Sequence, residues 1–173
     1  KEIKIRVDQN LYPARAIISD PEIDLAVLKI DVMLPAMGFH QSPIKLSQSV
    51  IALGFPNPRE YGLSISVTEG SINSLSGYQD KVSHYQISTL VDRGNSGGPL
   101  IDEKSGGLVG VIVQQHKQNV KCSYAIKAET LLSFLAKYPA LYNSLKYCNY
   151  RGLRRETIVE EACKSVVQVL TFF

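Results

Sequence analysis

The chain has 173 residues, close to one domain's worth, and 45% hydrophobic with 20% charged residues excludes a long disordered polymer or a collagen-like fibre. Its formal charge of +3 comes from 19 basic and 16 acidic residues. The basic ones are scattered apart from Arg151, Arg154 and Arg155, so nucleic acid is not the implied partner. Ile3, Ile5 and Val7 alternate with charged residues, the period of a strand and not of a signal-peptide core. No apolar run is long enough for a membrane span, so the sequence reads as a soluble chain.

Further strands are predicted along the first two thirds. Asp24 to Ile30 (DLAVLKI) follows a Ser19-Asp20-Pro21 turn signal, and Ser49 to Phe55 (SVIALGF) is stopped by Pro56-Asn57-Pro58. Leu63 to Val67, Gly70 to Leu75, Ser83 to Leu90, Pro99 to Ile101 and Leu108 to Gln114 continue the series, the last two joined by a turn over 102–107. Short strands without intervening helices argue for a barrel or sandwich. The last third changes period. Leu131, Leu132, Leu135 and Tyr138 share a helix face that Pro139 ends or kinks, a second helical stretch follows around Ala140 to Tyr147, and Thr157 to Lys164 fits a short helix. Val166 to Phe173 is β-branched and aromatic, which predicts a terminal strand.

Cys122, Cys148 and Cys163 form neither a C-x-x-C pair nor an even disulfide set, and they read as three small buried thiols. His40, His84 and His116 lie far apart without a ligand partner at metal spacing, so no metal site and no cofactor is expected.

The segment Asp92-Arg93-Gly94-Asn95-Ser96-Gly97-Gly98-Pro99-Leu100 carries the most chemistry. Three glycines around one serine allow a tight turn whose backbone N–H groups converge, and two such amides beside a nucleophile would stabilise an oxyanion. An ordinary glycine-rich hairpin is the competing reading. A phosphate-binding Walker loop is not supported, because no Gly-Lys-Ser/Thr follows.

GNSGGPL at 94–100 together with DLAVLKI at 24–30 resembles the trypsin-like serine proteases of the HtrA (Deg) group. SVIALGFPNP at 49–58, VTEGSINSL at 67–75, YQIST at 85–89, LVGVIV at 108–113 and SYAIKAETL at 123–131 extend the resemblance over roughly residues 1–138. It implies an all-β chain with peripheral helices, built as two packed antiparallel β-barrels of chymotrypsin type. It also implies a serine endopeptidase acting on unfolded or extended polypeptide through an acyl-enzyme, without metal or cofactor. By position, Ser96 matches the nucleophile, the amides of Gly94 and Ser96 match the oxyanion hole, and Asp24 matches the triad aspartate, which on this reading is buried facing the cleft. A turn aspartate capping its strand is the alternative for Asp24. Val91, Ile112 and Val113 fall where the family lines its specificity pocket, and apolar walls there favour an aliphatic residue before the scissile bond.

The departure is the histidine. In this chain order it should precede the aspartate, yet nothing between Lys1 and Ile23 is a histidine. His40, His84 and His116 read as surface or packing residues, since none holds the general-base position. Glu156 to Phe172 is similar to the opening of an HtrA-type domain, a short helix and the first barrel strand. Residues 1–150 are then a protease domain lacking its His-bearing hairpin, and 151–173 complete the first barrel. A tandem arrangement, in which 151–173 open a second domain, and a histidine-free relative both stay open.

Two function classes compete: the endopeptidase, with peptide or unfolded protein as its partner, and a non-catalytic pseudoprotease or peptide-binding scaffold. A processed viral-type protease fits the strand motifs less well. The resemblance leaves room for a homo-oligomer and points to the cell envelope, whereas three free cysteines suit a reducing cytosol. The sequence leaves compartment and natural substrate open.

Overall fold

Ile5, in the middle of the charged alternation at the start of the chain, is 3% exposed and sits in the first strand, β1 (Glu2–Val7). The computed structural model describes residues 2–57, 62–113, 122–148 and 150–172. Two units are distinguished, Lys1–Pro35 with Val167–Phe173 and Ala36–Val166.

In the first unit β1 pairs with β2 (Asn10–Asp20), and β2 with β3 (Leu25–Ile30), all antiparallel. The sequence reading missed β2 because its apolar residues do not alternate and it contains Pro13, a residue that argues against a strand interior. Pairing explains the tolerance. The register with β3 begins at Ala14, so Pro13 lies opposite Lys4 of β1 and just beyond the β3 ladder. The tail strand, which is the chain's last, runs antiparallel to β1 from Glu2↔Phe172 to Arg6↔Gln168. Arg6 Nη1 donates to Gln168 Oε1 at 3.1 Å, and the Lys4 ammonium lies 5.3 Å from the Phe172 ring centre. The sheet is four-stranded and open, with the tail strand and β3 at its edges. The implied first barrel is therefore a sheet here, because among the described residues no strand bridges those two edges.

The second unit contains β4 (Ser49–Gly54), β5 (Ser66–Ser74), β6 (His84–Ile87), β7 (Pro99–Asp102), β8 (Leu108–Val113) and β9 (Ser123–Lys127). They close a barrel in the order β4-β5-β6-β9-β8-β7. The two short segments expected at 63–67 and 70–75 are one strand, β5. Gly70 interrupts its apolar pattern because a β-carbon there would lie 2.5 Å from Thr89 Oγ1. The run SVIALG needs no alternation, because both faces of β4 are covered. Val50 and Ala52 join Ile72, Ile87, Leu100 and Ile112 inside the barrel, while Ile51 and Leu53 pack with Ile101 beneath Val159 and Ala162.

Those last two residues belong to a helix. The helices are α1 (Ala128–Ala136), the single turn α2 (Pro139–Tyr142) and α3 (Arg155–Cys163). Pro139 starts α2 from its first turn, where a missing N–H costs nothing. The tail strand, Gln168–Phe172, is β10. Among the described residues no helix is long and apolar enough to cross a membrane. All three cysteines are free and half-buried, and burial pushes the Cys148 and Cys163 thiols up.

Candidate active site

The serine loop is set by a split between amides used by the fold and amides left over. Asn95 N–H donates to Asp92 C=O at 3.1 Å, Gly98 N–H to Asn95 C=O at 2.9 Å, and Gly97 N–H to Ile112 C=O of β8 at 2.8 Å. Asn57 N–H donates to Arg93 C=O at 2.6 Å, tying the loop to the segment after β4. Among the described residues neither the Gly94 nor the Ser96 amide donates a hydrogen bond. Gly94 has φ +96°, and a β-carbon on it would lie 2.1 Å from Phe55 C=O, so this position requires glycine twice over.

Side chains alternate across the loop. Asn95 is buried at 4% exposure against Gly54, whereas Ser96 is exposed, and its hydroxyl makes no hydrogen bond among the described residues. An exposed serine hydroxyl, two amides without an acceptor and a hydrogen-bonded loop backbone thus occur together at 94–96, features that acyl transfer can use. Val91 is half-buried against the barrel core. Ile112 is 1% exposed inside the barrel, and its neighbour Val113 faces the other way on the same strand. Gln114 and the residues to 121 lie outside the described residues, His116 among them.

Asp24 belongs to the first unit, at the start of β3, with φ +58° and an exposed side chain. The expectation of a buried carboxylate is not met. No imidazole covers it among the described residues, and aspartate tolerates the left-handed backbone that the turn requires.

Two histidines are committed elsewhere. His84 is 9% exposed, and its Nδ1 bonds Ser83 Oγ at 2.9 Å. His40 Nδ1 lies 3.0 Å from Ser105 Oγ, and Ser105 Oγ–H donates to Asp102 Oδ2 at 2.8 Å. The sequence reading missed this cluster because Asp102 and Ser105 lie 62 and 65 positions from His40 in the chain. Burial alone would push the Asp102 carboxyl up. Hydrogen bonds from Gln48 and from the Ser105 hydroxyl and N–H, with the His40 ring nearby, outweigh it and hold the carboxyl below its usual 3.8. A depressed folded-state pKa stabilises the fold above the unfolded value and loses that contribution as pH falls through the folded one. Asp102→Asn is therefore expected to lower stability at neutral pH by about 1–3 kcal/mol and to flatten the loss of stability below about pH 4, read from urea melts at a series of pH values.

Residues 2–111 match the family model described as a trypsin-like peptidase domain. The chain belongs to the trypsin-like peptidase family. Among its relatives, a probable periplasmic serine endoprotease DegP-like of Chlamydia pneumoniae is 36% identical over 110 residues, 60% of this chain and 22% of that protein. The protein of the same description from Hahella chejuensis is 31% identical over 140 residues, 78% of this chain and 29% of that one. A crystal structure of the Rv3671c protease of M. tuberculosis in its inactive form is 28% identical with a TM-score of 0.65, covering 78% of this chain and 71% of that one. These likenesses place the trypsin-like chain in the HtrA group. It spans 22% and 29% of the length of the two curated relatives.

Proposed function

We propose that this trypsin-like chain is part of a serine endopeptidase whose nucleophile is Ser96. The observation that carries the reading is the exposed, unbonded Ser96 hydroxyl beside the unspent amides of Gly94 and Ser96. In the reaction a base removes the Ser96 proton and Oγ attacks the peptide carbonyl carbon. The two amides stabilise the resulting oxyanion, and the C–N bond then breaks as the leaving amine takes the proton back. Water hydrolyses the acyl ester and restores Ser96. For Asp24 the role of orienting the base rests on the family match of DLAVLKI alone. That base is a histidine absent from this sequence, a reading supported by the Nδ1 bonds of His40 to Ser105 and of His84 to Ser83, while His116 lies outside the described residues.

Residues 1–150 are on this reading a protease domain without its histidine hairpin, and 151–173 complete it. The β10–β1 ladder and the packing of α3 over β4 and β7 support that division. The substrate is unfolded or extended polypeptide. With Val91, Ile112 and Val113 as the family's pocket positions, peptide libraries are expected to be cut after small or medium aliphatic residues, and a preference for lysine or arginine would contradict this.

A fluorophosphonate probe tests the nucleophile. Mass spectrometry should place the adduct on Ser96, and an adduct elsewhere overturns the assignment. The same histidine commitments favour a second reading, a scaffold that binds peptide without cutting it. Reversible peptide binding with no adduct at any serine would decide for that reading.

A further inference from the structure

A second concave site lies within the larger unit, and no residue of the 91–98 loop lines it. It is a cavity of about 960 Å³ between the segment leading into β4, the β7–β8 turn and the chain before α3. This volume falls at the upper end of the range for small-molecule sites, roughly 300–1,000 Å³.

Its chemistry starts at His40. The side chains of His40 and Asp102 are 8% and 7% exposed, and their closest N···O distance is 3.9 Å. Asp102 as a carboxylate can only accept, and it takes hydrogen bonds from Gln48 Nε2 at 2.7 Å and from the Ser105 N–H and hydroxyl, each at 2.8 Å. Ser105 has one hydroxyl proton, and Asp102 receives it. Ser105 Oγ must then accept from His40 Nδ1–H, which fixes the tautomer and leaves Nε2 of the neutral ring with a bare lone pair. Nε2 makes no hydrogen bond among the described residues. In the neutral ring the Asp102–Ser105–His40 relay therefore leaves Nε2 as an acceptor, and His40 is among the residues lining this cavity.

The remaining lining is cationic and partly apolar. Lys45 and Lys104 are exposed and have no carboxylate partner among the described residues. Arg151 reaches Ser42 Oγ at 3.3 Å across the same space. Arg155 is shared between Glu69 and Glu103, so the Glu103 charge is partly offset. Leu46 and Leu153, 59% and 49% exposed, supply apolar surface to the same cavity.

We propose that this cavity binds a phosphate-bearing small molecule of mononucleotide size. Lys45, Lys104 and Arg151 take the phosphate, Leu46 and Leu153 cover its apolar or aromatic body, and His40 Nε2 accepts a hydrogen bond from a hydroxyl or amine. An acidic peptide would use the cations but not the fixed acceptor, so the small anion is the better match.

Adenosine monophosphate titrated into the full chain, followed by calorimetry and by ¹⁵N shifts of the His40 ring, tests this. Binding should weaken as salt rises, and Lys104→Ala and Lys45→Ala, both exposed positions, should each weaken it by about tenfold. The His40 Nε2 resonance should move with adenosine monophosphate and not with inorganic phosphate. Wild-type protein alone gives a second readout: adenosine monophosphate should bind more tightly than either adenosine or inorganic phosphate. Equal affinity for adenosine monophosphate and inorganic phosphate overturns the proposal, as does tighter binding of an acidic peptide or an unmoved Nε2 resonance.

Discussion

A Ser96→Ala variant is expected to lose peptidase activity by about 10⁴-fold or more, with its barrel intact and its affinity for uncleaved peptide retained. The size of the loss follows from chemistry. Without Oγ no acyl ester can form, and only positioning and the amides at 94 and 96 are left to act on the carbonyl. The stability prediction follows from geometry: Ser96 is exposed and its hydroxyl holds nothing together among the described residues. Initial rates on an aliphatic peptide substrate, with a urea melt of the same preparation, check both halves. A variant that kept more than a tenth of the activity would show that Ser96 is not the nucleophile. A variant that unfolded would show that the loop is structural where it is described as free.

Gly98→Ala is expected to be clearly more damaging than Gly97→Ala, its neighbour in the serine loop. The added carbon would lie 2.2 Å from Leu53 C=O and 2.9 Å from Asn95 C=O, and both contacts are with backbone. Neither can turn aside as a side-chain end would. Gly98 also accepts from Ile112 N–H at 2.9 Å while its own N–H donates to Asn95, so a shift at 98 pulls on β8 and on the loop together. A loss of about 3 kcal/mol is expected, the upper range for overpacking in a rigid site. Gly97 is the control. Nothing lies within 4 Å of a β-carbon there, but its φ of +85° disfavours any side chain, so Gly97→Ala should cost only about 1–2 kcal/mol. Urea melts of the two variants check the order, and a Gly97→Ala loss equal to or larger than that of Gly98→Ala would contradict the geometry.

Much of the barrel is legible in the chain because strands write their burial into alternation and turn residues. β1, β3, β7 and β8 follow from runs such as EIKIRV and LVGVIV, and the serine loop from its glycines. β2 is not legible. Its residues are all exposed or half-buried, so no apolar face marks it, and its identity as a strand comes from neighbours on both sides. The pocket expectation at Val91, Ile112 and Val113 depends on something the sequence does not carry either. A family position says which strand approaches a pocket, but the two-residue period decides which side chain of an adjacent pair faces it.

The amino-acid sequence by itself determined the β-rich character of this protein, the place of the serine loop and the absence of a histidine before Asp24, because these depend on residue type and local spacing. The tertiary structure alone decided what His40 does. Its partners Asp102 and Ser105 reach it only when the β7–β8 turn folds against the segment leading into β4, and nothing local in the sequence links them. It also decided that Val166–Cys163 and the strand after them divide their packing, α3 lying over β4 and β7 while β10 extends the sheet at β1. Such pairings are set by which apolar faces and backbone edges remain uncovered once the other elements have formed, a property of the assembled chain and not of any one segment.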